Sequence, residues 1–311
     1  MRAGRGTRCW IAAISLSWVT GCAALSQAQV IGHKPGYLDS VAPQVPNQAA
    51  IGKRIFTPGL EEGWVPQGLA VAGDYLLISG YKPTPDLNAA KGPCRVFRIE
   101  AATGKAAGQF DIPLDACNSH AGGLAYIGDG RLILADTQHL SRIDLPKALA
   151  SGNAEGAIET VKITGQLHGS FAASGGGKEA WTGTWTKNAA KARMYRLGPR
   201  FFDEHAGKVV DEKRAADSIR VPAEAQGAAF DTSGNAWVSA SRSNVMSKLY
   251  RIDRQGNVAA QYDMPMGLEG IAFDSSGRLW AVSESGTRKY QRWGDPFHFP
   301  FVFEIDVAKL K

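Results

Sequence analysis

The sequence has little cysteine, and what it has forms no metal motif. Four cysteines are spread over 311 residues, with no Cys-x-x-Cys pair and no Cys/His cluster of the kind that binds zinc. Long helical periodicity is also missing. The only helix-like stretch is DEKRAADSIR (211–220), enough for a turn or two. The longest apolar run, Cys9 to Val19, is too short to span a bilayer. Charge of one sign is not in excess: 35 Lys and Arg against 29 Asp and Glu give +6. Three of those arginines lie in residues 1–21, so the chain beyond them carries +3, which argues against a nucleic-acid partner. What is abundant is glycine, 36 in all, set among short apolar segments in a chain that is 44% hydrophobic.

Residues 1–21 read as a secretory signal: Arg2, Arg5 and Arg8, then the apolar run. VTGC (19–22) follows directly and resembles the lipobox of bacterial lipoproteins, which makes Cys22 the lipidated N-terminus. Ordinary cleavage after SQA (26–28) is the alternative. The protein is expected to be exported, to the periplasm or outer membrane as a lipoprotein or else as a soluble secreted form. Its only membrane attachment would be the lipid. Residues 22–50, rich in Pro, Gly and polar side chains, are expected to form a flexible tether ahead of one domain, 51–311. Cys9 lies in the signal and Cys22 in the lipobox. That leaves Cys94 and Cys117, expected to form a disulfide in an oxidising compartment.

The domain is a repeat. QGLAVAGDYLLISGY (67–81), GGLAYIGDGRLILAD (122–136), QGAAFDTSGNAWVSA (226–240) and EGIAFDSSGRLWAVS (269–283) share one plan: a polar residue, Gly, an apolar strand, a tight turn, a second apolar strand. HGSFAASGGGKEAWTGT (168–184) is a weaker copy. Aligned on the glycine, the preceding column reads Gln67, Gly122, His168, Gln226 and Glu269, at spacings of 55, 46, 58 and 43 residues. Third strands follow, such as CRVFRIE (94–100) and FVFEID (301–306), and several fourth strands. This period without long helices predicts an all-β fold, a β-propeller of five four-stranded blades. The last blade lacks an outer strand, and IGKRIFTPG (51–59) is expected to supply it and close the ring.

In such a ring the inner strands begin, and the second strands end, at one mouth of the central channel. Glu269 and Glu284 therefore share a face with Gln67, His168 and Gln226, and His120 precedes the second inner strand. Carboxylates, imidazoles and amides converging on one axis suit acid–base or metal chemistry: Glu269 and Glu284 as metal ligands, His120 or His168 as ligand or base. The loops at this mouth carry ten bases against four acids, with aromatics interleaved. Arg242 and Arg288 are candidate anion clamps, and Trp185, Tyr290 and Trp293 can stack on a ring-shaped ligand. Lys91 and Lys289 read as solvated. A small anionic or sugar-like ligand and a monomeric protein are expected; a non-catalytic module binding envelope proteins or glycans is the alternative.

GRLILADTQHLSRID (130–144) and EGIAFDSSGRLWAVS resemble NHL repeats and the repeats of gluconolactonase-like enzymes and streptogramin B lyases, over most of residues 65–307. The resemblance implies a propeller, usually of six blades in the lactonases, and a divalent cation such as Ca, Mg or Mn. It matches Glu269-Gly270 to a Glu-Gly metal ligand of that group, whose other ligands are Asn and Asp where this chain has Gln67, His168 and Gln226. It also implies metal-assisted lactone hydrolysis or a lyase reaction, the latter with a channel-facing His for which His120 or His168 could serve.

Overall fold

The computed structural model describes residues 1, 29–84, 92–176, 178–242, 244–293 (backbone alone at 292 and 293) and 297–311. Five antiparallel sheets account for almost all of its strands. Blade one comprises Val65–Ala72, Tyr75–Tyr81, Cys94–Glu100 and Ala106–Ile112. Blade two comprises Gly123–Tyr126, Arg131–Asp136, His139–Asp144 and Ile158–Ile163, with Val209–Val210 added in parallel at its edge. Blade three is Phe171–Ser174, Ala180–Gly183, Arg193–Leu197 and Asp217–Arg220. Blade four is Ala225–Phe230, Ala236–Ala240, Ser247–Ile252 and Val258–Met264. In blade five, Leu268–Phe273, Leu279–Ser283 and Phe301–Ile305 are completed by Ile51–Phe56, which pairs antiparallel with the last strand. The protein is a five-bladed β-propeller closed by its N-terminal strand, and the six blades usual in the lactonases are not found.

Neighbouring inner strands touch around the whole ring, and five apolar clusters fill the five gaps between blades. The repeated glycine follows from that closeness. A Cβ on Gly270 would lie 2.8 Å from the Gln67 carbonyl oxygen and 2.8 Å from the Gly68 carbonyl carbon, backbone atoms of the next blade. Gly68, Gly123 and Gly227 stand in the same relation to blades two, three and five. On these four inner strands the neighbouring backbone leaves no room for a side chain at that position.

Blade three departs from the pattern. Its register pairs Phe171 with Gly183, as Gly123 pairs with Ala135 and Gly227 with Ser239. Phe171 therefore occupies the shared glycine position and Ser170 the polar column, so His168 does not belong to that column. The Phe171 ring lies where a Cβ of residue 183 would be, which is why glycine sits opposite it. The stretch 211–220 is a single 3-10 turn, Glu212–Arg214, leading into the outer strand of this blade.

The expected tether is the larger correction. Val30–Ile31 pairs in parallel with Ile51–Phe56, and Leu38, Ala42 and Ala50 are buried. Residues 30–50 lie on the propeller, with Val41, Ala42 and Val45 packed on the apolar cluster between blades four and five and Ile31 on that between blades five and one. A composition rich in Pro and Gly gave no sign of this. Residues 2–28, with the proposed signal and Cys22, lie outside the described residues.

Candidate functional site

Polar groups from three blades meet at the mouth where inner strands begin. Glu269 stands on the blade-five inner strand and is 1% exposed; Glu284 follows the second strand and is 7% exposed. Each is held by an amide from a neighbouring blade. Gln67 Nε2 donates to Glu284 Oε2 at 2.7 Å, and Gln226 Nε2 donates to Glu269 Oε1 at 3.1 Å. Ser241 Oγ donates to the same Glu269 oxygen at 3.1 Å. Burial raises the Glu269 carboxyl well above the ordinary range, and the charge of Glu284 raises it further, outweighing Ser241 and Gln226. Burial also pushes Glu284 up to about 7, against the hydrogen bond from Gln67, the charge of Lys289 and a hydrogen bond from Tyr290. Two carboxyls this near and this dry resist carrying two negative charges together.

A second group supports this pair. Lys289 is 9% exposed, and its Nζ donates to Tyr81 Oη at 2.6 Å. The same nitrogen lies 4.9 Å from the Tyr81 ring centroid and 5.2 Å from that of Tyr290. Tyr81 and Tyr290 are hydrogen-bonded to each other, and burial followed by the charge of Glu284 raises both phenols, so both remain O–H donors at neutral pH. His120 packs edge-on against Tyr81, centroids 5.4 Å apart, with Ser119 Oγ 3.1 Å from its Nδ1. Burial, then the charge of Lys289, lowers the His120 pKa against the pull of Asp136, which favours neutral imidazole.

The loop carrying His120 is tied down twice. Asp136 accepts the backbone N–H groups of Asn118, His120 and Ala121 at 3.1, 2.8 and 3.1 Å. Cys117 is bridged to Cys94 of blade one. Asp136 and these two sulfurs lie close together, but sulfurs joined in a disulfide are not thiolate ligands.

The remaining expected site residues are placed differently. Arg242 is exposed and pairs with Glu224 at 3.4 Å. Arg288 points away from the carboxyls, pairing with Glu61 at 2.9 Å and covering the Tyr37 ring. Neither is the cation beside Glu269 and Glu284. Lys289 takes that place, although its position in a basic loop marked it as solvated. His168 is half-buried, and its carbonyl accepts from Thr182, with no side-chain hydrogen bond of its own among the described residues. Trp185 joins the site at its edge: its Nε1 donates to the Ser241 carbonyl at 3.2 Å, two hydrogen bonds from Glu269. The side chain of Trp293, and Lys91, lie outside the described residues.

As a cation site the carboxyl pair is poorly supplied. Calcium takes about six to eight oxygens, whereas the partners aimed at Glu269 and Glu284 are amide, hydroxyl and ammonium donors. The arrangement suits a proton better than a divalent ion. The far end of the channel holds a cavity of about 290 Å³ lined mainly by apolar residues such as Ala70, Ala125, Ala229 and Phe273. Its one acid, Asp231, is engaged by Asn235 and Trp237. The chemistry is gathered at the carboxyl end.

No family model matches this chain, and no curated protein matches it significantly. Among solved structures, it is similar to the glutaminyl cyclase of Myxococcus xanthus: 15% identity, TM-score 0.49, over 78% of this chain and 90% of that one. It is also similar to a luciferin-regenerating enzyme (12%, TM-score 0.44, 79% and 92%). A third likeness is to the PQQ-bound aldose sugar dehydrogenase of Streptomyces coelicolor (17%, TM-score 0.36, 70% and 74%). These likenesses are too distant to bear on activity.

Proposed function

We propose that the channel mouth is a small-molecule site in which Glu284 moves a proton on a neutral, ring-shaped ligand such as a lactone or a sugar. The observation that carries this reading is the buried Glu269–Glu284 pair, held by amides from two other blades beside Lys289, Tyr81 and Tyr290. A carboxyl poised near neutrality can take a proton and return it at working pH. Glu269, buried beside it, is raised further by the charge of Glu284 and so stays protonated as Glu284 gives up its proton. Lys289 is the donor for an oxyanion developing on the ligand, and Tyr290 holds Glu284 in place. Trp185, 36% exposed, offers a ring face at the rim.

A neutral ligand is favoured over the expected anion because several cations of the rim have partners within the protein: Arg242 with Glu224, Lys248 with Asp263, Arg288 with Glu61. In a hydrolase version, Glu284 deprotonates the water that attacks a lactone carbonyl; in a lyase version it removes a proton from carbon. The signal and lipobox support an exported protein, anchored through Cys22.

The test is a panel of lactones, sugar acids and glycans assayed across pH 5–9, with and without EDTA, for wild type and Glu284→Gln. Turnover that Glu284→Gln abolishes and EDTA leaves intact is expected. Loss of turnover with EDTA would instead place a divalent ion at the two carboxyls. Binding without turnover would support the interaction module.

A further inference from the structure

We infer that the N-terminal segment around Gly36 to Ala42 is a working part of the site, a strap that holds Lys289 and Tyr290 against the carboxyl pair. The two residues belong to the 3-10 turn Arg288–Trp293, which begins four residues after Glu284. A short 3-10 turn has little stability of its own, so something must fix it. The strap supplies the contacts on both flanks. Tyr37 Oη donates to the Gly286 carbonyl at 3.2 Å, and the Tyr37 carbonyl accepts from Gln291 Nε2 at 2.8 Å. The Ala42 N–H donates to the His298 carbonyl at 2.7 Å.

Arg288 is the joint between strap and site. Its guanidinium covers the Tyr37 ring at 4.3 Å and pairs with Glu61, whose other carboxylate oxygen accepts the Gly36 N–H at 2.7 Å. With Arg288 held outward, the next residue, Lys289, is turned inward to reach Tyr81 Oη. Arg288 is thus a positioning residue, acting through its neighbour. The strap survives either cleavage of the leader, at Cys22 or after Ala28, because it lies beyond both; Gln29, the first described residue after them, already docks, its carbonyl accepting the Arg54 N–H at 2.8 Å.

This inference rests on the placement of Lys289, not on the reaction proposed above, and its test needs no substrate. Brief acetylation of the folded protein with acetic anhydride, quantified by peptide mass spectrometry, compares Lys289 with the exposed Lys82 and Lys187. In wild type, Lys289 should be the slow site. Tyr37→Ala should raise its labelling about tenfold, the signature of a turn that opens locally. Lys82 and Lys187 should be unchanged, and Tyr37→Phe, which keeps the ring beneath Arg288, should restore most of the protection. Glu61→Gln removes the ion pair without touching the core, and keeps the test sound if Tyr37→Ala fails to fold. Lys289 as protected in the folded variants as in wild type would overturn the inference. So would an equal rise at all three lysines, since that reports general loosening.

Discussion

Replacing Glu284 by Gln should flatten the fall of stability as pH rises. Burial pushes the folded-state carboxyl from 4.5 up to about 7, so between those values the folded protein holds a proton that the unfolded chain has released. Stability from this group is therefore fully present below pH 4.5 and is lost as pH rises to about 7. A displacement of that size corresponds to about 3 kcal/mol. Glutamine has nearly the same shape, can still accept from Gln67 and does not ionise. Relative to wild type, Glu284→Gln should gain about 3 kcal/mol between pH 4.5 and pH 8.5. Glu269 adds to the gain, because the charge of Glu284 is one of the causes that raise it.

Other groups titrate too, and their signs differ. The lowered pKa of His120 contributes stability above 6.5 that is lost as pH falls toward its folded value. Asp231 and Asp274, lowered from 3.8 because hydrogen bonds to their turns overcome the effect of burial, lose their contribution only below that value. Their causes do not include Glu284, so they cancel in the difference between the two proteins. Urea unfolding of both, at half-unit steps from pH 4.5 to 8.5, reads the difference directly. Parallel curves over the whole range would refute the placement of Glu284 as a buried, proton-holding group.

Three further outcomes are expected. Mass spectrometry of unreduced peptides should find Cys94 joined to Cys117, and reduction should destabilise the protein by about 3 kcal/mol, as for loops near their separation of 23 residues. Gly270→Ala places a Cβ among backbone atoms of blade one and should cost about 1–3 kcal/mol in thermal or urea unfolding, whereas an unchanged midpoint would mean the inner strands can part. Cys22→Ser should move the protein from the membrane fraction to the soluble one, and unchanged fractionation would remove the lipid anchor.

The propeller was legible because a blade is a local object. Each hairpin carries its own turn, its own apolar strands and a glycine imposed by the neighbouring backbone, so the pattern recurs in the chain with the blade's period. Closure by residues 51–56 was legible for a related reason: the last blade was one strand short. Blade three shows the limit. Phe171 replaces the marker glycine and Gly183 makes room for it, a compensation between two strands that alignment on glycine misreads and that moved His168 into a column it does not occupy.

The acids of the site could be read from the ends of one hairpin, but their partners could not. Lys289 is 208 positions from Tyr81, on the neighbouring blade, and the sequence shows it only as one base among several in a loop rich in charge. What makes it different is the direction its neighbour takes. Arg288 is drawn outward by Glu61 and Tyr37, residues more than two hundred positions earlier, the second of them in a segment whose composition suggested no structure at all. A local pattern fixes which groups a strand end presents. Which cation answers a buried carboxyl is decided by contacts between distant segments, and in a closed ring the first residues of the fold lie beside the last. The N-terminal segment and the blade-five loop should therefore be treated as one unit in any redesign of this mouth. Exchanging the loop alone, with Tyr37 and Glu61 left in place, should displace Lys289 even when the lysine itself is kept.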